Sequence, residues 1–293
     1  MDHGRPPDLD SARPRCLCGQ VAAVKFEARY CANLSILFTE IPFEERAAAA
    51  AHSGFQSVEM WWPFSDPVPE TRAVDALLRQ LERAGVELRA MNFFAGDMAA
   101  GDRGVASRPD RQVELRDSIP TLIRIAQETE CRLFNLLYGQ LDDRWSENEQ
   151  QQTAVTAIAD AAGAVKEING TVLLEPLAAG LNGRYPLTSA QQIVDLLTEQ
   201  LSTVDNVGLL FDTFHLASNG FDVLNCASRY APYVRHVQLA DAPGRGEPGT
   251  GRLPFKALID TLDHLGYAGW LGCEYKLSTS TEDSLSWLPI ATG

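Results

Sequence analysis

VGLLFD, residues 207–212, is an apolar run that ends on a carboxylate, Asp212. Three further strand-like runs end on an acid or an amide: TVLLE (171–175) on Glu175, VRHVQ (234–238) on Gln238 and WLGCE (270–274) on Glu274. A strand that is buried on both faces should be almost wholly apolar, so a polar side chain at its end needs a partner that offsets its desolvation. A shared cation would be such a partner.

The spacing of these runs predicts the fold. Their polar ends lie 26 to 37 residues apart, which leaves room in each interval for a strand, a loop, a helix and a return loop. Strand-like runs alternate with helical segments along the whole chain, at 26–34, 57–62, 88–94, 131–138, 171–175, 207–212, 234–241 and 270–275. Eight such units predict a single (β/α)8 TIM barrel, whose active site lies at the carboxyl ends of the strands.

Local signals place the ends of the domain and of several helices. We predict that the barrel occupies residues 24–293 and that residues 1–23, which are rich in Pro, Gly, Arg and Asp, form a mobile N-terminal extension. Gly54 and Gly85 are expected just past the ends of the first two helices. Further along, the sequence predicts a capping box made by Thr188 and Gln191, and Pro254 in the first turn of the last helix.

The net charge, apolar spans and cysteine content of the chain predict its partners, its location and the state of its thiols. The 293 residues carry a net charge of −14, which repels phosphate backbones and anionic lipid, so we expect neither a nucleic-acid nor a membrane partner. The lack of a long apolar span or signal-peptide pattern favours a cytoplasmic location. Six cysteines, few for this length and most in apolar context, indicate reduced thiols. Whether the chain forms a homo-oligomer is left open.

The four polar strand ends together offer oxygen ligands only. Three carboxylates and one amide suit Mg²⁺ or Mn²⁺ better than Zn²⁺, and four protein ligands leave positions for two substrate oxygens. The alternative is that each acid is a separate buried ion pair or cap. His236 shares a strand face with Gln238 and should lie one layer deeper in the barrel, where a supporting role is expected.

Three residues beyond the strand ends are candidates for binding substrate. His215 follows Asp212 in a D-x-x-H pattern that points both groups at the barrel mouth, although a lone histidine is often structural. Arg245 lies in the Gly-rich loop 242–251 and could pair bidentately with a carboxylate, or remain a solvated loop arginine. Lys276 is either a second cation for an anionic substrate or a surface lysine.

Several motifs, in the same order along the chain, resemble the hydroxypyruvate isomerase family of xylose isomerase-like TIM barrels. They are ANLSILF (32–38), AGDMAAGDRG (95–104), LLEP (173–176), HVQLAD (236–241), RGEPGTG (245–251), GCEYK (272–276) and TEDSLSWL (281–288). The resemblance runs from about Ala32 to Leu288. One departure is that the family commonly reads E-P-I-N where this chain has Glu175-Pro176-Leu177-Ala178, so a polar neighbour of the first glutamate is missing.

The resemblance implies a reaction and a set of roles. It implies that Glu175, Asp212, Gln238 and Glu274 bind the metal and that Glu175 and Glu274 also form the acid/base pair. The implied enzyme is an intramolecular oxidoreductase that interconverts hydroxypyruvate, a small anionic 2-oxo acid, and 2-hydroxy-3-oxopropanoate through a cis-enediolate. Three alternatives stay open: a 2-oxo-tetronate isomerase of the same family, a non-catalytic barrel that binds small acids, and a DNA-repair phosphodiesterase.

Overall fold

A computed structural model describes residues 1, 27 and 29–289, so nearly all of the predicted extension (1–23) lies outside the described residues. The described chain forms a closed barrel of eight parallel strands in sequence order. The strands are β1 (Tyr30–Asn33), β2 (Ser57–Met60), β3 (Glu87–Asn92), β4 (Leu133–Asn135), β5 (Thr171–Leu174), β6 (Val207–Asp212), β7 (Val234–Leu239) and β8 (Leu271–Cys273). The predicted (β/α)8 barrel is confirmed, and each predicted run corresponds to one strand, although β3 begins at Glu87, one residue before its run.

Helices follow the strands and cover the outside of the barrel. They are α1 (Phe43–His52), α2 (Thr71–Ala84), α3 (Gln112–Thr129), α4 (Glu147–Lys166), α5 (Ala190–Asp195), α6 (Thr213–Ser218), α7 (Val223–Tyr230) and α8 (Phe255–His264). A wider helical turn, Leu196–Gln200, continues α5, and α6 and α7 both lie between β6 and β7. None of the helices in the described residues is long and apolar enough to cross a membrane.

The strands are almost wholly buried, as their sequences predict. Every residue of β6 is buried, and β1 closes the barrel against β8 with Cys31 opposite Gly272. β6 spans its whole predicted run, whereas the other strands end before theirs, where the chain leaves the ladder and turns into the loops at the barrel mouth. Glu175 and Glu274 therefore lie one residue past β5 and β8, whereas Asp212 is the last residue of β6.

Most of the predicted helix ends are correct, and one is shifted. Gly85 ends α2 with a φ of 66°, a left-handed conformation that favours glycine. The capping box predicted at Thr188 and Gln191 is wrong by one residue: Ser189 caps α5 and exchanges hydrogen bonds with Gln192. The shift arises because the Gln192 side chain accepts from both the Thr188 and the Ser189 backbone N–H.

Cysteines in the described residues are free thiols. Cys31, Cys131, Cys226 and Cys273 are all buried and unpaired with one another. The prediction of reduced thiols is confirmed for these four. Cys16 and Cys18 lie outside the described residues.

Candidate active site

The four predicted metal ligands converge at the carboxyl ends of β5 to β8. Asp212 and Gln238 are opposite each other in the β6–β7 ladder. Gln238 Nε2 donates to Glu274 Oε2 at 2.6 Å. Ligand atoms of Glu175, Asp212 and His215 lie within 4.8 Å of one another. The barrel thus gathers into one buried site side chains that are far apart in sequence.

The imidazole of His215 is fixed by its backbone neighbours. The backbone N–H of His215 donates to Asp212 Oδ1 at 2.9 Å, so Asp212 caps α6. The Ala178 N–H donates to His215 Nδ1 at 3.0 Å, which puts the proton of a neutral imidazole on Nε2. Nε2 lies 3.7 Å from Glu175 Oε1 and 4.0 Å from Asp212 Oδ2. Burial lowers the pKa of His215 to about 4, so at neutral pH the ring is an uncharged donor.

Each glutamate is also held by an asparagine from a neighbouring strand. Asn135 Nδ2 at the end of β4 donates to Glu175 Oε2 at 2.7 Å, and Asn33 Nδ2 at the end of β1 donates to Glu274 Oε2 at 2.7 Å. Glu175 is therefore supported by a side chain from the adjacent strand β4, although the polar residue expected at Ala178 is missing. The backbone N–H of Ala178 still serves the site through His215.

Arg245 reaches into the site from the loop after β7. Its Nη2 lies 2.5 Å from Glu274 Oε1 and 3.9 Å from Asp212 Oδ2, and the guanidinium lies over the Phe214 ring. Burial alone would lower the pKa of Arg245, but the charges of Glu274, Asp212 and Glu175 raise it above its ordinary value. Arg245 is a buried cation of the site, not a solvated loop residue.

The two glutamates differ from ordinary carboxyls in their protonation. Burial, then the charges of Glu274 and Asp212, raise the pKa of Glu175 well above its usual range. Burial also raises the pKa of Glu274 to about 8, with the charges of Glu59 and Asp212 adding to the rise and Arg245 opposing it. Groups with pKa values raised toward neutrality are suited to exchange protons with a substrate.

The donor set fits a hard divalent cation. Asp212 Oδ2, Gln238 Oε1 and Asn135 Oδ1 are buried side-chain oxygens without a hydrogen-bond partner, an arrangement that is costly unless something else satisfies them. If all three carboxyls ionised, they would share one guanidinium, and this repulsion is part of the reason why the pKa values of Glu175 and Glu274 are raised. A cation held by Glu175, Asp212, Gln238 and Glu274 would satisfy both conditions, and their oxygen atoms suit Mg²⁺ or Mn²⁺.

Sequence reasoning missed Glu59, a buried carboxylate in β2 beneath the site. It accepts hydrogen bonds from Asn33, His236 and Gln238. His236 is fully buried and lies in this deeper layer, as its position on the face of β7 predicts. The signal that could have found Glu59 is the run SVEMWW (57–62), where one acid interrupts an otherwise buried strand.

Two further cationic residues, Arg103 and Lys276, differ from Arg245 in their surroundings. Arg103, from the Gly-rich loop after β3, donates to Asn182 Oδ1 at 2.9 Å, and its charge acts on His215 and Arg245. It was not predicted, because a loop residue gives no periodic signal. Lys276 is exposed, and its backbone N–H donates to Arg245 O. Among the described residues, the hydrogen bonds of the ligand set do not involve Lys276, so its contact with substrate stays a prediction.

A cavity opens beside the site under the loops after β1, β2 and β3. It has a volume of about 360 Å³ and is lined in part by Ser35, Arg46, Trp61 and Met98. The Trp61 side chain also acts on Glu274, where it lowers the pKa of the carboxyl against the effect of burial. Trp61 is therefore shared by the lining of this cavity and the surroundings of Glu274.

Comparisons with known proteins agree on the family. A family model described as xylose isomerase-like TIM barrel matches residues 47–290. A protein of Streptomyces coelicolor provisionally named hydroxypyruvate isomerase is 42% identical over 269 residues, covering 90% of this chain and 96% of that protein. The hydroxypyruvate isomerase of Escherichia coli is 33% identical over 260 residues, covering 89% and 98% of the two chains.

Two further proteins are similar over nearly the same length. The 2-oxo-tetronate isomerase of Haemophilus influenzae is 29% identical over 259 residues, covering 88% of this chain and 97% of that protein. A crystal structure described as an AP endonuclease, family 2, from Brucella melitensis superposes with a TM-score of 0.80 at 30% identity, covering 89% of this chain and 98% of that one.

Proposed function

The chain belongs to the xylose isomerase-like TIM barrel family, and on this premise we propose that it is a metal-dependent isomerase that interconverts hydroxypyruvate and 2-hydroxy-3-oxopropanoate. The observation that carries the proposal is the pair of buried glutamates, Glu175 and Glu274, which form an oxygen-only ligand set together with Asp212 and Gln238. The names of the relatives from Streptomyces coelicolor and Escherichia coli support the choice of substrate.

The reaction requires a proton to leave C3 of hydroxypyruvate and a proton to reach C2, through a cis-enediolate. Glu175 and Glu274 are the groups that exchange these protons in this proposal, since burial raises the pKa of both and a raised pKa makes each carboxyl a stronger base when it is ionised. A Mg²⁺ or Mn²⁺ ion bound by the ligand set would supply positive charge where negative charge develops on the substrate oxygens.

The remaining polar groups of the site have binding roles in this proposal. Neutral His215 offers its Nε2 proton to a substrate oxygen, because Ala178 occupies the other ring nitrogen. Arg245 holds the substrate carboxylate. A cation bound to Glu274 would weaken the present ion pair between Glu274 and Arg245. A local cation is needed because the net charge of −14 disfavours an anionic substrate.

A 2-oxo-tetronate isomerase is the second candidate. The name of the Haemophilus influenzae relative supports it, and the cavity of about 360 Å³ beside Trp61 could accommodate a fourth carbon. Both candidates use the same residues.

The name of the Brucella melitensis structure would suggest DNA repair instead, but among the described residues the acidic site includes a single histidine, His215, and the chain is strongly acidic. A protein that cleaves DNA needs a basic groove.

The test is a comparison of kcat/KM on hydroxypyruvate and on 2-oxo-tetronate with the Mg²⁺- or Mn²⁺-loaded protein. We expect the three-carbon acid to be preferred and the Glu175→Gln and Glu274→Gln variants to fold but to lose turnover. A clear preference for the four-carbon acid would select the second candidate, and near wild-type kcat in either variant would remove that glutamate from the mechanism. Binding of either acid without any exchange of substrate hydrogen with solvent would indicate a non-catalytic barrel.

A further inference from the structure

Glu59 is surrounded by four hydrogen-bond donors deep in the barrel. Its Oε1 accepts from Asn33 Nδ2 at 3.0 Å and from Gln238 Nε2 at 2.8 Å. Its Oε2 is 2.6 Å from His236 Nε2 and 3.4 Å from the thiol of Cys31. An ionised carboxylate only accepts hydrogen bonds and has about four lone-pair positions, so these donors use its full capacity.

The backbone around Glu59 is also adapted to it. The β2–β3 register shifts between Val58 and Glu59, and such irregularities redirect side chains near active sites. On β8, which lies on the other side of β1 from β2, a Cβ on Gly272 would lie 2.6 Å from both carboxylate oxygens of Glu59. Gly272 thus leaves the space that the carboxylate occupies. Burial alone would raise the pKa of Glu59, but His236 and the hydrogen bonds from His236, Gln238 and Asn33 lower it.

These contacts fix which end of the Gln238 amide is available to a cation. Gln238 Nε2 donates one proton to Glu59 Oε1 and the other to Glu274 Oε2 at 2.6 Å. A reversed amide would place its oxygen against two carboxylate oxygens, which repel it. Oε1 is therefore the free end of the amide, buried and without a hydrogen-bond partner. The Asn33 amide differs from that of Gln238, because its oxygen Oδ1 already accepts a hydrogen bond from the Ser35 N–H.

We propose that Glu59 is a positioning residue that orients Gln238 so that Oε1 serves as a metal ligand. The proposal rests on the metal site of the proposed function but not on the identity of the substrate. Glu59 does not touch the cation in this account; it acts through Gln238 and, by way of Asn33, on the surroundings of Glu274. Residues that orient metal ligands in this way typically contribute about 10–100-fold to metal affinity.

Two variants displace the carboxylate without removing its charge. Glu59→Asp shortens the side chain, so that it cannot reach Gln238 and His236 together. Gly272→Ala pushes the carboxylate of Glu59 from β8 and leaves residue 59 unchanged, which keeps the test available if Glu59→Asp fails to fold. We expect each to raise the Kd for Mn²⁺ about 10–100-fold, as measured by calorimetry on the purified full chain.

The electron paramagnetic resonance spectrum of bound Mn²⁺ is the second readout, because it reports the ligand geometry. We expect an altered spectrum in both variants. Cys131→Ser is the matched control, since it changes a buried thiol that bonds to the Leu133 carbonyl and not to the ligand set, and it should lower stability without changing the Kd or the spectrum. A charge effect alone would weaken Mn²⁺ binding in Glu59→Gln but leave Glu59→Asp and Gly272→Ala at wild-type values.

Wild-type Kd and spectrum in Glu59→Asp and Gly272→Ala would overturn the positioning role, whatever Glu59→Gln shows. A wild-type chain that binds no Mn²⁺ would also overturn it. By contrast, a chain that binds Mn²⁺, loses affinity in both variants and fails to isomerise hydroxypyruvate would contradict only the proposed function.

Discussion

At the scale of single residues, the site consists of acids at or near strand ends and of side chains on other strands that hold them in place. A carboxylate that closes an apolar run, such as Asp212, stands out in the sequence because burial makes it costly. Glu59 carries the same signal, but its donors Asn33 and His236 lie on other strands, 26 and 177 residues away. Only the closed barrel brings them together. Arg103 gave no signal at all, since its place near His215 depends on how one loop folds back.

Arg245 gives the residue-scale prediction. A small 2-oxo acid offers few contacts, and a charge-assisted hydrogen bond to its carboxylate is worth roughly 1.5–3 kcal/mol, so Arg245→Ala should lower kcat/KM on hydroxypyruvate by about one to two orders of magnitude. Arg245→Lys should restore little, because lysine lacks the two-pronged geometry. Steady-state kinetics with the metal-loaded protein measures both.

Arg252→Ala is the control for Arg245, because Arg252 is exposed on the same loop and should leave kcat/KM unchanged. Full kcat/KM in Arg245→Ala would show that the carboxylate is held elsewhere. Arg103 and Lys276 would then be the next candidates.

At the scale of elements, the loop after β7 is built around one buried aspartate. Asp241 Oδ1 accepts from the Ala242 and Leu253 N–H groups, and Oδ2 accepts from the Gly249 N–H. The Arg245 N–H donates in turn to Asp241 O at 3.0 Å. The sequence predicted a Gly-rich loop that aims Arg245, but it did not predict the role of Asp241, because the N–H groups of Ala242, Gly249 and Leu253 meet this carboxylate only once the loop has folded.

Asp241→Asn should therefore disturb the position of Arg245. The new amide nitrogen would face a backbone N–H, so we expect the free energy of unfolding to fall by about 1–3 kcal/mol and kcat/KM to fall about ten-fold or more. Urea unfolding and steady-state kinetics measure the two effects. Asp222→Asn is the control, since Asp222 accepts backbone N–H bonds at the start of α7, outside the site, and should affect stability only. A less stable Asp241→Asn variant with wild-type kcat/KM would contradict this account of the loop.

At the scale of the whole molecule, the sequence predicted the architecture well because the barrel follows from repetition. Eight buried strands alternate with helices, and every strand pairs in parallel with its neighbour in sequence. The errors in the predicted helix ends were small and local. At the start of α5, the cap is Ser189 because the Gln192 side chain accepts from two backbone N–H groups. The chemistry was harder to predict than the fold, because the site depends on contacts between residues up to 241 positions apart, as between Asn33 and Glu274.

The most direct test of the central claim is to follow [3-¹³C]hydroxypyruvate by NMR with the Mg²⁺-loaded protein. The account predicts that the hydroxymethyl carbon signal is replaced by that of the aldehyde, or its hydrate, of 2-hydroxy-3-oxopropanoate. It also predicts that EDTA stops the conversion without changing the circular dichroism spectrum, since the barrel core does not depend on the ion, and that Glu274→Gln forms no product. Product formation that survives EDTA or Glu274→Gln, or no conversion by the loaded wild-type protein, would contradict it.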